Sequence, residues 1–285
     1  MSTAAALGLL GRRLGQSRIV VVNAGLLAGV ALLAIVGPAL SPHDHQSLDL
    51  GTVLASPSLA DYRLFGTDEL GRDLFVRSML GVRISLTVAV VASLVSLVIG
   101  VVYGAIAGYA GGRVDAAMMR IVDTFYALPF IFFVILLAAF FERSFLLIFI
   151  AIGAVNWLDM ARIVRGQTLS IRERDFVHAA RMAGAGPLGI IARHVVPNVA
   201  GVVVVYLTLT VPQALLVESF LSFLGLGVQE PQTSLGSLVD SGVRQMESAP
   251  WVLLIPAGLL AVILLCFNFL GDGLRDLLDV RERRS

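Results

Sequence analysis

The sequence predicts an all-α, polytopic membrane protein of about six transmembrane helices. Apolar residues make up 57% of its 285 positions, charged residues only 14%, and the mean hydropathy is +0.88. A soluble globular domain is roughly a quarter charged, so this balance fits lipid as the main solvent.

A helix crosses a bilayer with about 20 apolar residues. Ile19–Leu40, Ile84–Tyr109, Thr124–Phe141, Val195–Val217 and Pro250–Gly271 each supply an uncharged stretch near that length. A further span, fourth in chain order, is Phe145–Val164, apolar until Asp159 and Arg162. Those two charges stand three residues apart on one helical face, placed to pair with each other at the membrane edge. Arg12, Arg13 and Arg18 before the first stretch resemble the basic flank of a signal peptide. Its apolar run exceeds the core of about 7–15 residues that such peptides carry, and Leu40-Ser41-Pro42 is a poor cleavage site. The expectation is a retained first helix.

Six spans place both termini on one side. With the termini in the cytoplasm, 15 Arg residues lie inside and 6 outside, counting the segments between the spans. The positive-inside rule selects that orientation. The expected organisation is therefore an N-terminal region over 1–83 with the first helix and an extracytoplasmic segment, a five-helix core over 84–274, and a cytoplasmic tail over 275–285. Ser41–Arg83 is the long outside segment, and Arg162–His194 is the longest one in the cytoplasm. No internal repeat is evident, which weakens the case for a secondary carrier built of inverted halves.

Composition also excludes several chemistries. The net charge of +1 gives no case for nucleic-acid binding. All 21 basic residues are Arg. Without Lys there is neither a Walker A phosphate loop nor Schiff-base catalysis. Cys266 is the sole cysteine, so no intrachain disulfide forms, and its apolar surroundings suit an inert core residue.

The cytoplasmic stretch 171–198 has the most distinctive pattern. Asp175 is placed to cap a mostly apolar helix, which Gly184-Ala185-Gly186-Pro187 then breaks. A second short helix, Leu188–Val196, is expected to lead through Pro197-Asn198 into the fifth span. The small residues Ala179, Ala180, Ala183 and Gly184 lie along one side and let another surface approach closely. A plain interhelical loop with Arg residues on anionic lipid is the alternative for such a segment.

The order of residues resembles the cytoplasmic coupling motif of importers of the ATP-binding-cassette class, which is roughly Glu-Ala-Ala, three residues, Gly, nine residues and an apolar–x–Leu–Pro ending. Here His178-Ala179-Ala180, Gly184 and Pro197 keep the spacing within a coupling segment of 166–198, and His178 departs from the Glu position. Gly66-Thr67-Asp68-Glu69-Leu70-Gly71-Arg72-Asp73 is similar to a block in the C-type permease subunit of dipeptide, oligopeptide and nickel importers. So are Ala107-Gly108-Tyr109 with Gly111, Gly112 and Asp115, Arg120-Ile121-Val122-Asp123, Ser219–Gly227 and Asn268–Asp276. The resemblance runs in order over nearly the whole chain. It implies a heteromeric importer in the cytoplasmic membrane, with a second permease subunit, cytoplasmic ATPase subunits docked on the coupling segment and an extracytoplasmic substrate-binding protein. It further implies that this chain is not an enzyme and holds no cofactor of its own, ATP and Mg being bound by the partner subunits. Short peptides are the expected substrate, with nickel or glutathione as the alternatives.

Glu218 lies within the fifth apolar region, where an ionisable group is costly. It is either a pathway residue, facing a substrate ammonium, or a hydrogen-bonding group tied to Ser219 or Ser222. A secondary carrier using Glu218 as an ion or proton site is the rival function, but it has no need of a coupling segment. Asp68, Glu69 and Asp73 suit a hard cation by type, yet Arg72 among them favours a salt-bridged outside surface. His43 and His45 flank Asp44 without a fixed geometry and are expected to be solvated. No metal site is expected. Gly271-Asp272-Gly273 matches part of an intramembrane aspartyl protease pattern, but no second carboxylate sits at a matching depth.

Overall fold

The computed structural model describes residues 17–129, 131, 132, 134, 135 and 145–282. Among these, regular structure is helical, apart from two isolated bridges, Ser58–Arg63 and Thr67–Asp73. Helix α1 spans Arg18–Leu40, α2 Leu74–Ala110, α3 Gly112–Ala127, α4 Phe145–Ile171, α5 Asp175–Met182, α6 Pro187–Ile190, α7 Val196–Phe223, α8 Leu235–Arg244 and α9 Trp251–Glu282. Four stretches among the described residues are long and apolar enough to cross a membrane: Arg18–Leu40, Leu74–Ala110, Pro187–Phe223 and Trp251–Asp276. The chain is an all-α polytopic membrane protein. The expected third span, Thr124–Phe141, is described at 124–129, 131, 132, 134 and 135, and its second part lies largely outside the described residues. Its start is the end of α3, which gives way to extended backbone at Leu128.

Helix α2 begins at Leu74, ten residues before the uncharged run that marked it in the sequence. Arg77 and Arg83 obscured its first turns. Arg77 is tolerated there because its guanidinium pairs with Asp68 and Glu230. The first N–H groups of any helix lack intrahelical acceptors. Here Asp73 accepts the Val76 N–H at 2.8 Å and caps the helix. Likewise α9 does not stop at Gly271 but runs to Glu282.

The described residues divide into two compact units. One comprises the described residues 17–90, 145–148 and 211–282. Within it α1 meets α2 at Gly37, where an added Cβ would lie 3.2 Å from both Phe75 and Met79, and meets α9 where Gly273 faces Val20. Most of the remaining α1 surface is exposed and apolar, including Val22, Leu26 and Ile35, as a lipid-facing helix requires.

The other unit comprises the described residues of 91–135 and residues 149–210. Gly100, Gly104 and Gly108 recur every four residues on one face of α2. A Cβ there would lie 2.5 Å from Met160 Cβ, 2.4 Å from the Ala161 carbonyl oxygen and 2.7 Å from Thr168 Cβ. Helices α2 and α4 therefore approach almost backbone to backbone, the contact that small residues at four-residue spacing permit in membranes.

Candidate functional site

The stretch that resembles a coupling motif forms a helical hairpin in the second unit. Arg174 occupies the N-cap of α5 and Asp175 is its first helical residue. The expected side-chain cap by Asp175 does not form; the carboxylate instead stands in the first turn, where the helix dipole favours negative charge. After Met182 the chain closes through Gly184, whose φ is +82. Ala185 N–H donates to Ala180 O at 3.0 Å and Gly184 N–H to Arg181 O at 3.0 Å. This pair of bonds ends a helix through a left-handed residue, a conformation in which glycine carries no Cβ penalty. Gly186 is extended, and Pro187 opens α6 at the position where its missing N–H costs nothing.

The short helix expected over Leu188–Val196 does lead into the fifth span, but as a one-turn α6 followed by a turn of different geometry. Ile191–Val195 form a π-helical turn that passes directly into α7, with Pro197 as that helix's second residue. Pro197 lacks an N–H to give to Arg193, and the wider turn, with Val196 N–H bonded to Ile191 O, absorbs the missing rung. The Asn198 side chain donates to His194 O at 2.6 Å beside it.

The base of the hairpin is anchored. Val177, Ile190 and Val195 are fully buried and cluster with Met160, Val164 and Ile171 of α4. Its tip is the reverse: each of the eight residues Arg181–Leu188 is exposed, with Met182 at 90% and Leu188 at 75%. His178 and Ala179 are also exposed, Ala180 is half-buried against the core, and Pro197 is exposed away from the tip. His178 Nε2 lies 4.0 Å from the Glu173 carboxylate, and the Arg181 guanidinium sits over the Tyr109 ring at 5.6 Å. The arrangement is a buried base presenting a small-residue turn with two protruding apolar side chains.

Glu218 is in the other unit and is fully buried. Ser222 Oγ donates to its Oε1 at 2.7 Å, and Ser85 Oγ to its Oε2 at 2.9 Å. Ser234 Oγ donates to Ser222 Oγ at 3.1 Å, while Leu235 N–H donates to Ser85 Oγ at 3.1 Å. The carboxylate thus joins α2, α7 and the N-terminus of α8. Of the two partners anticipated on its own helix, Ser222 is bonded to it, and Ser85 had no signal in the sequence. Gly227 leaves room for the Ser222 hydroxyl, since a Cβ there would sit 1.9 Å from it. Gly225, with φ +73, ends α7.

The Gly66–Asp73 block is a buried ionic knot. Asp68 accepts Leu70 N–H at 2.8 Å and Arg72 N–H at 2.9 Å, and pairs with Arg72 at 2.8 Å and with Arg77. Glu230 bridges the same two guanidiniums at 2.7 and 2.9 Å. Burial pushes the Asp68 carboxyl up, but Arg77, the two backbone donors and Arg72 outweigh it and hold it below the ordinary carboxylate value. Burial alone prevails at Asp73, whose carboxyl is raised. His43 and His45 are partly exposed; His45 Nδ1 lies 2.8 Å from Asp44, and His43 Nε2 3.2 Å from the Asp61 carbonyl.

Asp159 and Arg162 do not pair with each other. Asp159 accepts the Tyr126 hydroxyl, and Arg162 donates to Asp123 at 2.6 Å, so both reach across to α3. Adjacent residues on one helix face had suggested a local pair, but a partner on a neighbouring helix leaves no such trace.

Residues 100–284 match the model of the binding-protein-dependent transport system inner membrane component family. The oligopeptide transport system permease protein OppC of Escherichia coli (strain K12) is 53% identical over 272 residues, covering 95% of this chain and 90% of that protein. The dipeptide transport system permease protein DppC of Bacillus subtilis (strain 168) is 44% identical over 276 residues, covering 96% and 85%. The OppC protein of Mycobacterium tuberculosis (strain CDC 1551 / Oshkosh) is 36% identical over 274 residues, covering 95% and 94%. With the apolar helices and the hairpin in place, these matches make the chain a multi-pass membrane permease: it belongs to the family of inner membrane components of binding-protein-dependent transport systems.

Proposed function

We propose that this chain is one of two permease subunits of an ATP-driven importer of short peptides, and that the α5–α6 hairpin is the dock for a cytoplasmic ATPase subunit. The exposed turn Arg181–Leu188 on its buried base is the observation that carries the reading. A helix held by Val177 and Ile190 transmits force, and a tip of small residues with Met182 and Leu188 fits a shallow apolar groove in a partner. The chain has no Lys for a phosphate loop, so its energy comes from chains that bind ATP and Mg. On this reading it performs no covalent chemistry itself. The excess of Arg in the segments assigned to the inside supports a cytoplasmic position for both termini. A second permease completes the pathway, and an extracytoplasmic binding protein delivers the substrate. Peptide is supported over nickel or glutathione by the similarity to oligopeptide and dipeptide transport permeases. A carrier that uses Glu218 as an ion site is disfavoured, because both carboxylate oxygens are occupied by serine hydroxyls.

Purification of the tagged chain from membranes, identification of its co-purifying chains and measurement of ATP hydrolysis in liposomes test this reading. The expected result is ATPase and second-permease chains in the complex, with hydrolysis stimulated by peptide-loaded binding protein. A chain that purifies alone and transports without ATP would overturn it.

A further inference from the structure

Asp115 and Asp123 belong to the stretches that carry the family resemblance, and docking at the hairpin gives them no task. Both face α4. Arg165 donates through Nε to Asp115 Oδ1 at 2.5 Å and through Nη2 to Oδ2 at 2.6 Å, a two-pronged pair with Asp115 buried. Arg162 makes the bond to Asp123 one turn away. The hydrogen bond from Arg165 holds the Asp115 carboxyl below its ordinary value, so the pair stays charged. Two turns further along α4's axis, Arg172 Nη1 donates to the Gly108 carbonyl at 3.2 Å, at the end of α2. Beside it Gly111, with φ +66, keeps open the space that the Arg172 guanidinium fills. Residues 172–174 alone separate α4 from α5.

The hairpin is therefore the continuation of a helix fastened on two sides: to α3 by charge, and to α2 by Arg172 and the close approach at Gly104 and Gly108. We infer that Arg165, through Asp115, is a positioning residue for energy transfer, locking α4 to α3 so that displacement of the hairpin moves both helices together instead of being lost between them. Motion passes between distant sites only through elements that hold together. The inference rests on the proposed docking role of the hairpin.

The test is made in the whole reconstituted complex, reading ATP hydrolysis, substrate uptake and retained ATPase subunits in the same preparation. For Arg165→Gln and Asp115→Asn we expect hydrolysis within about twofold of the parent and uptake per ATP lowered about tenfold. The reversed pair Asp115→Arg with Arg165→Asp recovers most of the ratio. A purely structural role lowers the amount of complex, and hydrolysis and uptake with it, leaving uptake per ATP unchanged; that result overturns the inference. If those variants fail to insert, Arg165→Lys keeps the charge and loses the two-pronged geometry. It is expected to lower uptake per ATP about threefold, and an unchanged ratio there overturns the inference as well. Docking is read separately by Gly184→Val: full ATPase retention and full uptake in that variant would sink the docking role.

Discussion

Ser85 Oγ donates to Glu218 Oε2 at 2.9 Å, joining residues 133 positions apart around a carboxylate that has no exposed surface. The bond directions all point inward: Ser234 to Ser222 to Oε1, and the Leu235 N–H to Ser85 to Oε2. A buried carboxyl needs such partners, and the N-terminus of α8 supplies two of the donors in the network. The group therefore fixes α8 against α2 and α7.

Glu218→Gln is expected to preserve shape while turning one acceptor into a donor that faces a serine hydroxyl. The solubilised protein should lose about 1–3 kcal/mol of stability, because a buried polar group is left without a partner. Thermal unfolding in detergent, followed by size-exclusion recovery, measures it. Uptake lost at unchanged stability would instead make Glu218 a pathway residue.

The Asp68 knot predicts a charge-specific effect. Arg77→Ala leaves Asp68 buried beside a single guanidinium and should cost about 3 kcal/mol, the scale of breaking a buried pair. The pH dependence has a definite sign. A carboxyl whose folded value is depressed stabilises fully above its unfolded value, here 3.8, and loses that contribution as pH falls through the lower folded value. The gap in melting temperature between parent and variant should therefore be constant at neutral pH and shrink below 3.8. A gap independent of pH down to full protonation would show that packing, not charge, holds the loop.

At Gly104 the prediction is steric. Gly104→Leu places a Cβ about 2.4 Å from the Ala161 carbonyl oxygen, a backbone atom that cannot step aside. The helices must part, at a cost of about 1–3 kcal/mol or more for overpacking. Lower recovery of folded protein is expected, with Gly153→Leu as the control: its nearest neighbour is a Val95 methyl at 3.5 Å.

Much of this architecture is legible in the apolar runs, because lipid demands an uninterrupted apolar length. The runs end at the first charge, however, and so hide the part of α2 where Arg77 is neutralised by residues distant in sequence. The hairpin is legible because Gly184 and Pro187 carry local backbone preferences. Pro197 is misleading: a π-helical turn spares the helix, and nothing in composition announces that turn. The polar pairs are the least legible feature. Asp159, Arg162 and Arg165 each choose a partner on α3, and such choices follow from helix packing rather than from spacing along the chain.

On the proposed function, the exposed turn of the hairpin receives an ATPase subunit. Gly184→Val isolates that contact, because nothing lies within 4 Å of the added Cβ, so only the left-handed backbone at φ +82 resists the change. A β-branched residue there costs about 1–2 kcal/mol locally and reshapes the tip while the buried base stays intact. Peptide uptake by the reconstituted complex, with chain insertion and ATPase retention recorded alongside, is the measurement. Normal insertion is expected, with retention and uptake both lowered about tenfold, since about 1.4 kcal/mol of docking energy is that factor; uptake and retention equal to the parent's would rule docking at this turn out.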